Sequence, residues 1–106
     1  MKESLRPVLA ALHDQFDLLY EARLRHLVLF GSQARDEADA GSDVDILVVL
    51  EGPVDPGEEI ARTGIITASL SLEHDVVISC TFVSSIRFTT EQSPLLLNVR
   101  KEGVPV

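Results

Sequence analysis

The sequence predicts one small α/β domain of the α+β kind, a mixed sheet of three to four strands with helices packed on it. Short apolar runs rich in β-branched residues alternate with longer segments whose apolar residues recur every three or four positions. The length, 106 residues, is that of one ordinary domain, since single domains typically run to about 100–150 residues. No internal repeat, low-complexity tract or linker divides residues 1–106, so strands and helices must share one core.

The elements follow in order. From Glu3 to about Tyr20, Leu5, Val8, Leu9, Leu12, Phe16 and Leu19 lie on one helical face. Pro7 sits near enough to the start to be tolerated. His26–Phe30 is an apolar run too brief for a helix and ends at Gly31, so it reads as a buried strand. A polar stretch and a short helix lead to Asp43–Leu50, the clearest strand in the chain, which Gly52-Pro53 terminates. Asp55-Pro56-Gly57-Glu58 has the form of a helix entry, with Asp55 as N-cap and Pro56 at the first helical position. That helix runs to about Leu72 with Ile60, Gly64, Ile65, Ala68 and Leu72 on one face, although Gly64 costs it roughly 1 kcal/mol relative to Ala. Asp75–Val83 reads as the third strand. Ser93-Pro94 opens a last short helix through Leu96, Val99 and Arg100, closed by Gly103.

Composition narrows the function. Seventeen Asp and Glu oppose nine Lys and Arg, a formal net charge of -8. Such a chain is poorly suited to a nucleic-acid backbone or an anionic membrane, both of which need clustered cations. Small anions such as nucleotides stay within reach where a metal ion bridges the repulsion. The lone Cys80 excludes an internal disulfide and a cysteine zinc site. With no run of 18 apolar residues and no cleavable leader pattern in MKESLRPVLAALHDQF, the reading is a soluble, unprocessed, cytoplasmic protein.

Chemistry concentrates in Phe30-Gly31-Ser32-Gln33-Ala34-Arg35 and Gly41-Ser42-Asp43-Val44-Asp45-Ile46. At a strand end, Gly31 lets the backbone approach a phosphate. Ser32 can cap the following helix and offer its hydroxyl to a phosphate oxygen, while free backbone N–H groups face the anion. Arg35 is the only basic residue in the motif and a candidate phosphate contact. Asp43 and Asp45, two apart on a strand, project to one face beside that turn if the two strands are neighbours. Their mutual repulsion calls for a cation, and Mg²⁺ takes carboxylate, water and phosphate oxygens. The plainer alternative is that Asp43 caps the strand and Asp45 faces solvent. His13, His26 and His74 show no ligand spacing, and Glu58-Glu59 reads as helix N-terminal charge.

Gly31-Ser32, ten intervening residues and Asp43-Val44-Asp45 after an apolar strand resemble the signature of the nucleotidyltransferases related to DNA polymerase β. The Gly-Ser-x-Ala-Arg opening and the closing Leu95-Leu96-Leu97-Asn98-Val99-Arg100-Lys101-Glu102-Gly103 resemble their smallest branch, the minimal nucleotidyltransferases. The resemblance spans Leu27 to Gly103. It implies a nucleoside triphosphate on Gly31 and Ser32, with Arg35 beside it, and two Mg²⁺ ions on three carboxylates, of which Asp43 and Asp45 are two. It also implies transfer of a nucleotidyl group to a hydroxyl with loss of pyrophosphate. In the family the third carboxylate lies within the neighbouring strand. Here Asp75, the only acid in that strand and at its start, is the candidate third catalytic and metal-ligating carboxylate, whereas alignment from the strand's end puts Ser79 at the position. A two-residue step moves a side chain almost 7 Å, so one Asp cannot serve both registers. Asp36 stands where the family frequently has glycine.

The resemblance further implies ATP as donor of AMP, a tyrosine of a helical HEPN-type toxin as acceptor, and an antitoxin role. The alternative is a catalytically weak nucleotide-binding antitoxin that neutralises its partner by contact. Strand edges and apolar faces left open by so small a sheet also leave room for a homodimer.

Overall fold

The computed structural model describes residues 2–38 and 41–106. After a 3-10 turn at Glu3–Leu5, helix α1 (Arg6–Tyr20) leads through a second such turn into strand β1 (Leu24–Phe30). A single turn, α2 (Gly31–Ala34), precedes β2 (Val44–Leu50). Helix α3 (Pro56–His74) carries the chain to β3 (Ile78–Ser84), followed by α4 (Ser85–Thr90), α5 (Pro94–Glu102) and a two-residue strand, β4 (Val104–Pro105). The sheet order is β3-β2-β1-β4, with β1 antiparallel to both β2 and β4 and β2 parallel to β3. A mixed sheet of four strands results, as the sequence predicts. Neither α4 nor β4 was foreseen, both being too short to show a periodicity.

Alternation along β2 divides the core in two. Val44, Ile46, Val48 and Leu50 point to the face covered by α1 and by Leu70 of α3. Leu47 and Val49 point to the opposite face, where they meet Val28, Val83 and the α5 residues Leu96 and Val99. The residue two before Leu47 is Asp45, so it shares the α5 face at the end of the strand where apolar cover stops. The predicted caps form: Asp55 accepts from the Glu58 N–H at 3.3 Å and Ser93 from the Leu96 N–H at 3.4 Å. Gly103 ends α5 in extended backbone, φ -65°, and a Cβ there would lie 2.5 Å from both Val28 Cγ1 and the Val99 carbonyl.

Two expectations are corrected. The third strand starts at Ile78, because Asp75 terminates α3 in a left-handed conformation, φ 53°. And the apolar face expected of α3 points outward: Ile65 and Leu72 are each 86% exposed, while Glu59, Thr63 and Leu70 turn inward. The inward charge is compensated. Glu59 accepts from the Tyr20 hydroxyl at 2.7 Å and pairs with Arg62 at 3.1 Å and Arg23 at 3.3 Å. Burial raises the Glu59 carboxyl's pKa, but the Tyr20 and Arg23 hydrogen bonds and the two arginine charges outweigh it and leave it below the ordinary range. The network ties α1 to α3 where an apolar residue would otherwise stand.

Candidate active site

Strand β1 delivers its last residue, Phe30, directly opposite Asp45 of β2. One residue later the chain turns at Gly31, whose φ of +74° belongs to the left-handed region that favours glycine. The turn also runs against the neighbouring carboxylate: a Cβ on Gly31 would lie 2.5 Å from Asp45 Oδ2. Glycine is required here twice, for the backbone angle and for the close approach. The strand adjacency on which the sequence argument depended is therefore present.

Asp43 lies just before β2, exposed, and two residues from Asp45. The Asp45 carboxyl is pushed above the ordinary aspartate range, first by burial and then by the negative charge of Asp43. Two acids thus share a partly desolvated place, with no cationic side chain among the described residues paired to them, a donor set of hard oxygens that fits a divalent cation. Gln33 of α2 is almost fully buried and donates through Nε2 to the Ser42 carbonyl at 3.3 Å, fastening the turn to the segment that enters β2. Its Oε1 is buried and finds no hydrogen-bond partner among the described residues. No sequence signal marks Gln33, because a one-turn helix has no repeat to reveal which side is inward.

The other candidates lie as follows. Ser32 is half-buried in α2, which starts without a side-chain cap, so the hydroxyl does not play the capping part expected of it. Arg35 sits on the rim, 3.1 Å from Glu37 and 3.7 Å from Glu102 of α5, its guanidinium already engaged by acids. Asp36 adopts φ 57°, a physical reason for glycine at the equivalent position in the resembling family. Asp75 does not join the pair. Ser79 of β3 is the residue directly across from Asp45, and Asp75, four residues earlier, is the cap of a helix on the opposite face of the sheet. It lines a cleft of about 610 Å³ with Lys2, Leu5, Gln33, Ser42 and Ser71. Among the described residues no three His, Cys, Asp or Glu side chains gather as a metal-holding group.

His26 packs against Phe88, ring centroids 5.3 Å apart, and His13 lies 3.8 Å from Asp14. Neither approaches the aspartate pair. No helix among the described residues is long and apolar enough to cross a membrane.

Comparison with known proteins bears on the same segment. A family model described as a nucleotidyltransferase domain matches residues 15–102, which include the turn, both aspartates and the crossover to β3. Among solved structures, the chain is similar to a toxin-antitoxin with AMP-PNP, at 20% identity and TM-score 0.61 over 88% of this chain and 68% of that one. It is also similar to the toxin-antitoxin MntA-HpeT in a variant with two aspartates changed to glutamate, at 18% identity and TM-score 0.59, covering 89% and 68%. A tyrosine-to-alanine variant of MntA-HpeT aligns at 21% identity and TM-score 0.54, covering 90% and 68%. Comparison with curated sequences gives no significant match. At these identities the structural likeness speaks to the fold, that of the polymerase β-like nucleotidyltransferases, while the family model spans most of the chain. With a glycine turn pressed against Asp45, and Asp43 two residues before it, inside the matched residues, the chain belongs to the nucleotidyltransferase domain family.

Proposed function

We propose that this chain binds ATP and a divalent cation at the Gly31 turn and transfers AMP to a hydroxyl of a partner protein. The observation that carries the reading is the contact between Gly31 and the Asp45 carboxylate. It supports a single place where phosphate, held by the turn, and a cation, held by Asp43 and Asp45, meet. In the transfer, the acceptor oxygen bonds to the α-phosphorus as the bond from that phosphorus to the oxygen bridging the β-phosphate breaks. Pyrophosphate leaves, and the hydroxyl proton is released. A bound cation supplies charge neutralisation for the phosphate oxygens. The chain's own part is to hold the triphosphate on the backbone of Gly31 and Ser32, with the Ser32 hydroxyl available to a phosphate oxygen. Asp43 and Asp45 fix the cation; Mg²⁺ suits oxygen donors.

The acceptor in this reading is a tyrosine of a helical HEPN-type toxin, so that the chain acts as an antitoxin in the cytoplasm. The three solved structures compared above are toxin-antitoxin assemblies, one with AMP-PNP, and the net charge of -8 suits a basic protein partner better than nucleic acid. The test is to incubate the purified chain and its helical partner with ATP labelled at the α-phosphate and Mg²⁺. Label should appear on the partner and be lost with Asp43→Asn and with Asp45→Asn. Absence of label with the unsubstituted chain refutes transfer.

Ser79 opposite Asp45 favours a second reading. With a serine at that register position, the described residues supply two carboxylates rather than three, enough for one cation. A nucleotide-binding antitoxin that neutralises by contact would then protect cells equally well as Asp43→Asn or Asp45→Asn.

A further inference from the structure

The one-turn helix α2 meets the two aspartates of the site by different means. Asp45 is set against it directly, its Oδ2 only 2.5 Å from the place a Cβ on Gly31 would take. Asp43 stands just outside β2 and is exposed, and the chain is gripped on each side of it. On one side the Val44 N–H donates to the Val77 carbonyl at 2.7 Å. On the other, Gln33 Nε2 donates to the Ser42 carbonyl at 3.3 Å. That carbonyl and the Asp43 N–H belong to one planar peptide unit, so the bond from Gln33 sets the plane from which the Asp43 Cα departs. Gln33 itself stands two residues after Gly31 in the same turn.

We propose that Gln33 is a positioning residue for the cation site: it fixes Asp43 relative to the Gly31–Ser32 turn, so that both carboxylates serve one cation beside the bound phosphate. The proposal rests on the reading of that site as one for a divalent cation and a nucleotide. The state of the side chain argues for positioning over a purely structural part. Gln33 is 6% exposed. Among the described residues its amide makes one long bond, to Ser42, and leaves Oε1 buried and unpaired. A buried acceptor left unpaired costs more than a typical hydrogen bond returns, so this amide contributes little or nothing to stability. An apolar side chain of the same volume would serve the core better. Turning the amide over gives no relief, because Oε1 would then face the Ser42 carbonyl, acceptor against acceptor. What the amide adds is direction, a donor aimed at the residue before Asp43. Groups that orient a metal ligand are worth about 10–100-fold in metal affinity.

Gln33→Met tests this, since it keeps the volume and removes the donor together with the unpaired acceptor. Thermal unfolding without metal should give a Tm equal to the parent's or higher. Isothermal titration with Mg²⁺ alone should give a dissociation constant raised at least about tenfold. Affinity lost without stability is a pairing that a merely structural side chain does not produce. Thr63→Val, at a buried polar position on α3, is the control and should leave Mg²⁺ affinity unchanged. Unchanged affinity in Gln33→Met, affinity and Tm falling together, a Gln33→Met chain that does not fold, or an equal loss of affinity in Thr63→Val overturns the proposal. The titration of the parent tells this failure from that of the underlying reading. A parent that takes up no Mg²⁺ refutes the cation site and the proposal with it, whereas a parent that binds no better than Gln33→Met refutes the proposal alone.

Discussion

Replacing Gly31 with alanine tests whether the turn and the carboxylate act as one site. Two costs follow from the geometry. At φ +74° a residue with a Cβ loses about 1–2 kcal/mol relative to glycine. The new methyl would also stand 2.5 Å from Asp45 Oδ2, so the carboxylate must leave its rotamer, at about 0.5–1.5 kcal/mol. Together these remove about 1.5–3.5 kcal/mol. For a domain of about 100 residues each kcal/mol is worth about 4–8 °C, so Tm should fall by roughly 6–28 °C. The decisive measurement is a double-mutant cycle with Asp45→Ala, followed by thermal unfolding without metal. In that background the nearest remaining atom, Asp45 Cβ, lies at an ordinary 3.6 Å, and Gly31→Ala should cost only the backbone portion. A coupling of about 0.5–1.5 kcal/mol is expected from the rotamer cost alone. Isothermal titration should show weaker Mg²⁺ binding for Gly31→Ala, since the displaced carboxylate is a proposed ligand. Strict additivity in the cycle, or an unchanged Tm, would refute the contact between turn and carboxylate.

Other perturbations read other parts of the site and its support. Ser79→Asp sets a carboxylate directly across from Asp45; Mg²⁺ binding should tighten and label transfer increase, and a variant that binds no better than the parent removes Ser79 as the third-ligand position. Asp45→Asn should raise Tm at neutral pH without metal. With the Asp45 pKa raised in the folded state by burial and by Asp43, the carboxyl favours folding while protonated, and that contribution is lost as pH rises through the folded pKa. The advantage of Asn should therefore shrink as pH falls below the usual aspartate range; a difference independent of pH would contradict the direction of the shift. Tyr20→Phe removes the donor to buried Glu59 and should cost about 1.5–3 kcal/mol, as for a hydrogen bond to a charged group. Burial, and then the Glu59 hydrogen bond and charge, also raise the Tyr20 pKa, so the parent should lose stability above the ordinary tyrosine range while Tyr20→Phe does not, as urea unfolding at several alkaline pH values can show.

What the sequence revealed and what it concealed divide along one physical line. Features set by neighbours in the chain were legible: the apolar content of β1 and β2, the caps at Asp55 and Ser93, and the glycine turn with an aspartate pair behind it. Features set by register or by a partner element were not. Asp75 and Ser79 are four residues apart on what reads as one strand, and choosing between them needs the point where α3 stops. That point is fixed by a left-handed cap at Asp75 and by the hydrogen bond from the Ile78 N–H to Ser71 Oγ at 3.3 Å, neither of which hydrophobic periodicity encodes.

The orientation of α3 shows the same limit more sharply. Its sequence holds an apolar face at helical spacing, and the ordinary inference turns that face inward. The structure turns it outward because the inward side has a different means of burial. Glu59 is satisfied by Tyr20, Arg23 and Arg62, Thr63 by the Glu59 carbonyl at 2.8 Å, and Leu70 supplies the contact with the main core. Periodicity detects that a helix has two sides, and both sides of α3 are fit to be buried. One is covered by α1 and the sheet. The other stands in solvent with Ile65 and Leu72 each 86% exposed, so helical spacing marks two sides of α3 without telling which one the rest of the fold covers.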